Sequence, residues 1–138
     1  MKIFIDTNIF LRFFISGNTP QHTETTFLIK EIENGKHRVY TSNVVLIELI
    51  YTLSKFYKQN KPSIIKKIDN ILAMRNLTVI EKTNSRQAMD LYKKLNIKYT
   101  DCLLFTQVPK DVKLVTYDKD FTKLPQLKIA KPKEIYAN

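Results

Sequence analysis

Glycine is almost missing from this chain: Gly17 and Gly35 are the only two, both in polar, loop-like stretches. A nucleotide-phosphate loop or a dinucleotide fingerprint needs clustered glycines, so that backbone N–H groups can approach phosphate closely; both are excluded. One cysteine, Cys102, leaves no disulfide framework, Cys-rich zinc site or iron–sulfur cluster within the chain, and a lone thiol agrees with a reducing compartment. The two histidines, His22 and His37, stand in polar stretches without metal-ligand spacing and are expected on the surface. A histidine-based triad or zinc hydrolase is therefore excluded as the leading reading. Long apolar runs are absent as well. Lys2 to Ile5 faintly resembles a secretion signal, but Asp6, Asn8 and Arg12 interrupt it and no small-residue cleavage site follows. A cytoplasmic protein with no membrane partner is expected.

What is present is a basic, globular composition. The 138 residues suit one domain over residues 1–138, and 43% hydrophobic residues suffice for a core. Twenty-three Lys and Arg against thirteen Asp and Glu leave a net charge of +10, which directs attention to an anionic partner such as nucleic acid. Short β-prone runs at residues 2–5, 38–41, 77–80, 113–116 and 127–130 alternate with longer helical patterns. The helical patterns cover residues 8–15, 21–33, about 43–57 after a Ser42 or Asn43 cap, a segment opened by Pro62, and one capped near Asn84. A short helix begins at Asp101 with Thr100 as its cap. This alternation predicts an α/β fold with a parallel sheet of four or five strands and right-handed crossovers, whose ligands collect beyond the carboxyl ends of the strands.

Thirteen carboxylates are few enough to place individually. Glu24, Glu31, Glu33, Asp69, Glu81, Asp90, Asp111 and Glu134 lie in polar or lysine-rich surroundings and read as solvated surface acids. Five others do not. Asp6 closes Ile3-Phe4-Ile5, Glu48 sits inside Val44 to Ile50, Asp101 precedes Cys102-Leu103-Leu104-Phe105, and Asp118 and Asp120 follow Leu114-Val115-Thr116-Tyr117. A charged carboxylate beside a core needs compensation. Asp6 and Asp101 can serve as helix N-caps, and Glu48 can pair with a base such as Arg12. The group can also meet at the sheet edge around a hard divalent cation, for which carboxylates without histidine suit Mg²⁺ or Mn²⁺ better than zinc.

Four pieces in this order, Ile5-Asp6-Thr7-Asn8, Leu46-Ile47-Glu48-Leu49, Thr100-Asp101-Cys102-Leu103-Leu104 and Val115 to Phe121, resemble the PIN-domain ribonucleases, in particular the small VapC-type toxins of toxin–antitoxin pairs. The resemblance runs through nearly the whole chain. It implies a PIN-like three-layer α/β/α sandwich. It also implies an Mg²⁺- or Mn²⁺-dependent endoribonuclease with one or two ions held by Asp6, Glu48, Asp101 and Asp118, Asp120 assisting. Its implied partners are RNA, a small antitoxin and a second copy of the chain.

Two departures are local: Cys102 replaces the family's usual alanine, and Pro109 shortens the helix carrying Asp101. Thr7, Asn8 and Thr116 stand beside the acids and are expected to orient them. Arg12, Lys119 and Lys123 are the leading candidates for holding RNA, with Lys55, Lys58 and Arg86 behind them. Tyr99 and Tyr117 are candidates for base stacking, with core packing the competing role. Two other classes remain: a non-catalytic, basic RNA-binding relative, and an α/β phosphotransfer domain. The second is disfavoured because Asn8 stands where a phosphatase needs an Asp and Asp6 has no acidic neighbour.

Overall fold

The computed structural model describes residues 1–15, 17–124 and 126–136. Its elements run β1 (Lys2–Ile5), α1 (Thr7–Phe14), α2 (Pro20–Glu33), β2 (Arg38–Ser42), α3 (Asn43–Lys55), α4 (Lys61–Leu72) and β3 (Leu77–Ile80). They continue with α5 (Ser85–Lys94), α6 (Tyr99–Gln107), β4 (Lys113–Val115), a 3-10 helix (Lys119–Lys123), β5 (Ile129–Ala130) and α7 (Pro132–Tyr136). The five strands form one sheet in the order β3-β2-β1-β4-β5, every neighbouring pair parallel.

Local chemistry accounts for most element starts. Ser42 caps α3 by accepting from Val45 N at 3.2 Å, and Asn60 and Asn84 cap α4 and α5 in the same way. Thr19 caps α2, whose first residue is Pro20, where the missing N–H costs nothing. Past the end of α2, Gly35 takes φ +79°, the left-handed conformation that ends helices and that a side chain disfavours. Pro109 follows the end of α6, which is nine residues long.

Ile3, Phe4 and Ile5 are all fully buried. Successive strand residues point to opposite faces, so both faces of the sheet are covered by helices, giving the α/β/α sandwich expected from the sequence. α2 packs on α1 and α7, while α6 packs on α5 and α3. The chain leaves β1 towards β2 and β3 on one side, then crosses back to β4 and β5 on the other. The strand order therefore reverses between β1 and β4. Their diverging connections open a crevice at the carboxyl ends, the place where such sheets bind ligands.

Three sequence expectations are corrected. α6 starts at Tyr99, not Asp101, with Lys98 at the cap position making no side-chain cap bond; Thr100 lies within the first turn and caps nothing. His37 is buried, not exposed: its Nε2 lies 2.9 Å from Glu31 Oε1, which leaves Glu31 half-buried as well. Glu24 is likewise half-buried, accepting a 2.7 Å hydrogen bond from the Tyr117 hydroxyl. The other six acids read as surface acids are exposed. Among the described residues, no helix is long and apolar enough to cross a membrane.

Candidate metal centre

All five acids singled out above arrive at the β1/β4 crevice. Asp6 directly follows β1, Asp118 and Asp120 follow β4, Glu48 sits on the second turn of α3, and Asp101 on the first turn of α6. Asp6, Glu48, Asp101 and Asp118 line a common cleft of about 170 Å³ together with Thr7, Asn8 and Lys98.

Asp6 is 5% exposed, and each of its oxygens is held. Oδ1 accepts from Thr7 N at 2.7 Å, so Asp6 is the N-cap of α1. Oδ2 accepts from Thr116 Oγ1 at 2.7 Å and from Asn8 Nδ2 at 3.3 Å. Asn8 binds Thr116 Oγ1 through the same amide group and accepts from Tyr117 N through its oxygen. The three polar residues Thr7, Asn8 and Thr116 thus fix the orientation of Asp6 and lock the ends of β1 and β4 together. Burial pushes the Asp6 carboxyl up to about 6; the bonds from Thr116 and Thr7 oppose that, and the charges of Glu48 and Asp118 add to it.

Asp101 is 4% exposed and less well compensated: its Oδ2 is buried with no hydrogen-bond partner. Burial raises this carboxyl to about 7, against the attraction of Lys98 and with the repulsion of Asp118, Asp6 and Glu48. Carboxylate oxygens of Asp101, Asp118 and Asp120 lie within 4.8 Å of one another. Asp120 is thereby brought into the trio through the 3-10 helix, whose Asp120 N–H donates to Asp118 Oδ1 at 2.9 Å. An orphaned buried oxygen beside two further carboxylates is the donor set a hard divalent cation takes, and the cation would offset the repulsion that adds to burial in raising both acids. The residues present fit such an ion.

The sequence pattern did not single out Lys98. Its ammonium lies 3.8 Å from Glu48 Oε2 and 4.0 Å from Asp101 Oδ1. Burial works against its charge, but Asp101, Glu48, Asp118 and Asp6 outweigh that and raise its pKa. Its one sequence signal was the i,i+3 spacing to Asp101, usable only once both residues are known to share the start of a helix. Glu48 pairs with Lys98 and accepts from Thr7 Oγ1 at 3.3 Å. The alternative partner Arg12 is exposed and donates from Nε to Gln21 at 2.7 Å.

Among the candidate RNA-holding residues, Lys119 is exposed next to Asp118, and Lys123 Nζ lies 3.7 Å from Asp120. Lys55, Lys58 and Arg86 are exposed. Tyr117 is half-buried with its hydroxyl bound to Glu24, and Tyr99 is half-buried edge-on to Tyr92. Cys102 is buried in the core, where burial and then the Asp101 charge push its thiol up, so it is an inert packing residue.

The comparisons with known proteins bear on the family and the fold. The PIN domain family model matches residues 3–127. A VapC ribonuclease of Aquifex aeolicus (strain VF5) is 29% identical over 126 residues, covering 90% of this chain and 92% of that protein. Among solved structures, Mycobacterium tuberculosis VapC20, described as a sarcin-ricin loop cleaving toxin, superposes with a TM-score of 0.70 at 19% identity, over 89% of this chain and 95% of that one. VapBC2 from Rickettsia felis, bound to a DNA fragment from its promoter, superposes with a TM-score of 0.66 at 23% identity, over 95% and 98%. At those identities the two structures speak to the fold.

Proposed function

The chain belongs to the PIN domain family, and from that premise we propose that it is a divalent-metal-dependent endoribonuclease, the toxin of a toxin–antitoxin pair. The observation that carries this reading is the buried, unpartnered Oδ2 of Asp101, in a trio of acids whose carboxylate oxygens approach within 4.8 Å at the carboxyl edge of the sheet. A purely structural acid at that depth would have found a hydrogen-bond donor.

Asp101, Asp118 and Asp120 would hold Mg²⁺, or Mn²⁺ in its place, with Asp6 and Glu48 completing the acidic wall. When bound, the ion offsets the negative charge of the phosphodiester and lowers the pKa of water. Asp6, fixed by Thr7, Asn8 and Thr116, keeps its carboxylate aimed without reorganisation. Glu48, steadied by Thr7, orients the attacking water. Lys98 on the cleft wall and the exposed Lys119 next to Asp118 offer cationic groups to the phosphate backbone, whose approach the net charge of +10 favours.

The protein partners of the reading, an antitoxin and a second copy of the chain, are supported by apolar surface on α3, α4 and their connection. Ile47, Tyr51, Phe56 and Ile65 are between 47% and 74% exposed there, apolar side chains of the kind a protein partner covers.

Incubation of the purified protein with mixed RNA tests the activity. Cleavage is expected with Mg²⁺ or Mn²⁺, none with EDTA, and none with folded Asp101→Asn. Cleavage that survives EDTA or that substitution overturns the reading.

A further inference from the structure

A second hollow, of about 480 Å³, adjoins the acidic cleft. Tyr92 on α5, Leu95, Asn96, Ile97 and Lys98 in the α5–α6 turn, and Asp120 line it. We propose that this hollow is a binding subsite for an unpaired nucleobase next to the phosphate being cut, with Tyr92 as the stacking surface. The proposal rests on the ribonuclease reading and adds to it where the substrate's base sits.

Three observations converge. The first is continuity. Lys98 lines both hollows, and Asp120, on the wall of this one, has a carboxylate oxygen within 4.8 Å of those of Asp101 and Asp118. A group filling the hollow is therefore a direct neighbour of the acids.

The second is the aromatic. Tyr92 is 48% exposed, yet its ring is fixed edge-on to Tyr99, with centroids 5.6 Å apart and planes at 82°. A ring already held in place stacks a base with little entropy to lose. Tyr117 does not offer this, because it is half-buried with its hydroxyl bound to Glu24.

The third is the polar lining. The exposed Asn96 amide supplies both a donor and an acceptor for a base edge. Lys123 braces the turn by donating to Asn96 O at 3.3 Å while pairing with Asp120, and Lys98 lines the hollow itself. Cations around an aromatic floor match a single strand. In a duplex, neighbouring pairs cover the face of each base and its hydrogen-bonding edge is occupied.

The test uses the Mn²⁺-loaded protein and single-stranded RNA oligonucleotides whose cut position has been mapped with wild type. Tyr92→Ala is expected to raise KM about tenfold, in the range of one lost base–aromatic stack, while Tyr92→Phe stays near wild type. Replacing one of the two nucleotides flanking the cut by an abasic residue is expected to raise the wild-type KM similarly, and to add little in Tyr92→Ala. Mn²⁺ affinity of Tyr92→Ala is expected to equal that of wild type. The subsite is overturned if Tyr92→Ala keeps the wild-type KM, if abasic and Tyr92 effects simply add, or if Mn²⁺ affinity falls with cleavage, which marks a structural role. If wild type cuts none of the RNAs, the ribonuclease reading itself fails and takes the subsite with it.

Discussion

Thr116 donates a 2.7 Å hydrogen bond to Asp6 Oδ2 across a separation of 110 residues, joining the ends of β4 and β1 at the point where the strand order reverses. The same hydroxyl accepts from Asp118 N at 3.0 Å, so one side chain aligns two of the acids. Thr116→Val removes the bond that opposes the raised pKa of Asp6, and that carboxyl then titrates above about 6. A hydrogen bond to a charged, buried acceptor contributes about 1.5–3 kcal/mol, so urea unfolding at pH 8 in EDTA should show a loss of that order. At pH 5, with Asp6 protonated, the loss should shrink. Thr116→Ser should restore stability and cleavage together; a valine variant as stable as wild type at pH 8 contradicts this role.

The two buried acids also set a pH dependence of the metal-free protein. Both carboxyls titrate higher in the folded chain than their ordinary value of 3.8, Asp6 near 6 and Asp101 near 7. Between 3.8 and about 7 the folded state binds more protons than the unfolded one. Stability from these groups is therefore fully present at low pH and is lost as pH rises through 6 and 7. Each tenfold gain in proton affinity on folding corresponds to about 1.4 kcal/mol, before coupling between the two acids is allowed for. In EDTA, the melting temperature should fall between pH 5 and pH 8, and saturating Mg²⁺ should reverse the fall at pH 8. Asp101→Asn should flatten the profile while abolishing cleavage, a gain for the fold and a loss for the chemistry. A melting temperature that does not fall from pH 5 to pH 8 in EDTA removes the electrostatic account.

Much of this centre is legible in the sequence alone. Asp6, Glu48, Asp101 and Asp118 stand out because a carboxylate inside or beside an apolar run is costly, and the strand-end rule places three of them on one edge. The residues that escape are mostly those whose partners lie outside their own element. His37 and Glu24 stand in polar stretches, and nothing local indicates that one is buried against Glu31 and the other bound to Tyr117, 93 residues away. Thr100 has the right chemistry for a cap, but α6 starts two residues before Asp101, which carries that acid into the first turn and leaves its Oδ2 without a donor. The stacking candidates Tyr99 and Tyr117 follow from adjacency to the acids in sequence, whereas Tyr92 reaches the site through the fold of α5 against α6.

Lys98 gives the sharpest separation between holding the site together and doing its chemistry. Its ammonium, 63% exposed along its side chain, stands 3.8 Å from Glu48 and 4.0 Å from Asp101, where it balances part of the acidic charge. A divalent ion held by Asp101 would compete with that ammonium for the same carboxylate, and the lysine would then be free to face the substrate phosphate. Lys98→Met therefore has opposite effects on the two partners of the site. Mn²⁺ should bind several-fold more tightly to the variant by calorimetry, because the competing cation is gone. RNA cleavage at saturating Mn²⁺ should fall by about tenfold or more, because a charge on the phosphate is lost. Lys98→Arg should recover most of the cleavage. A lysine that merely props the cleft open predicts instead that metal affinity and cleavage decline together, and that outcome would refute the assignment.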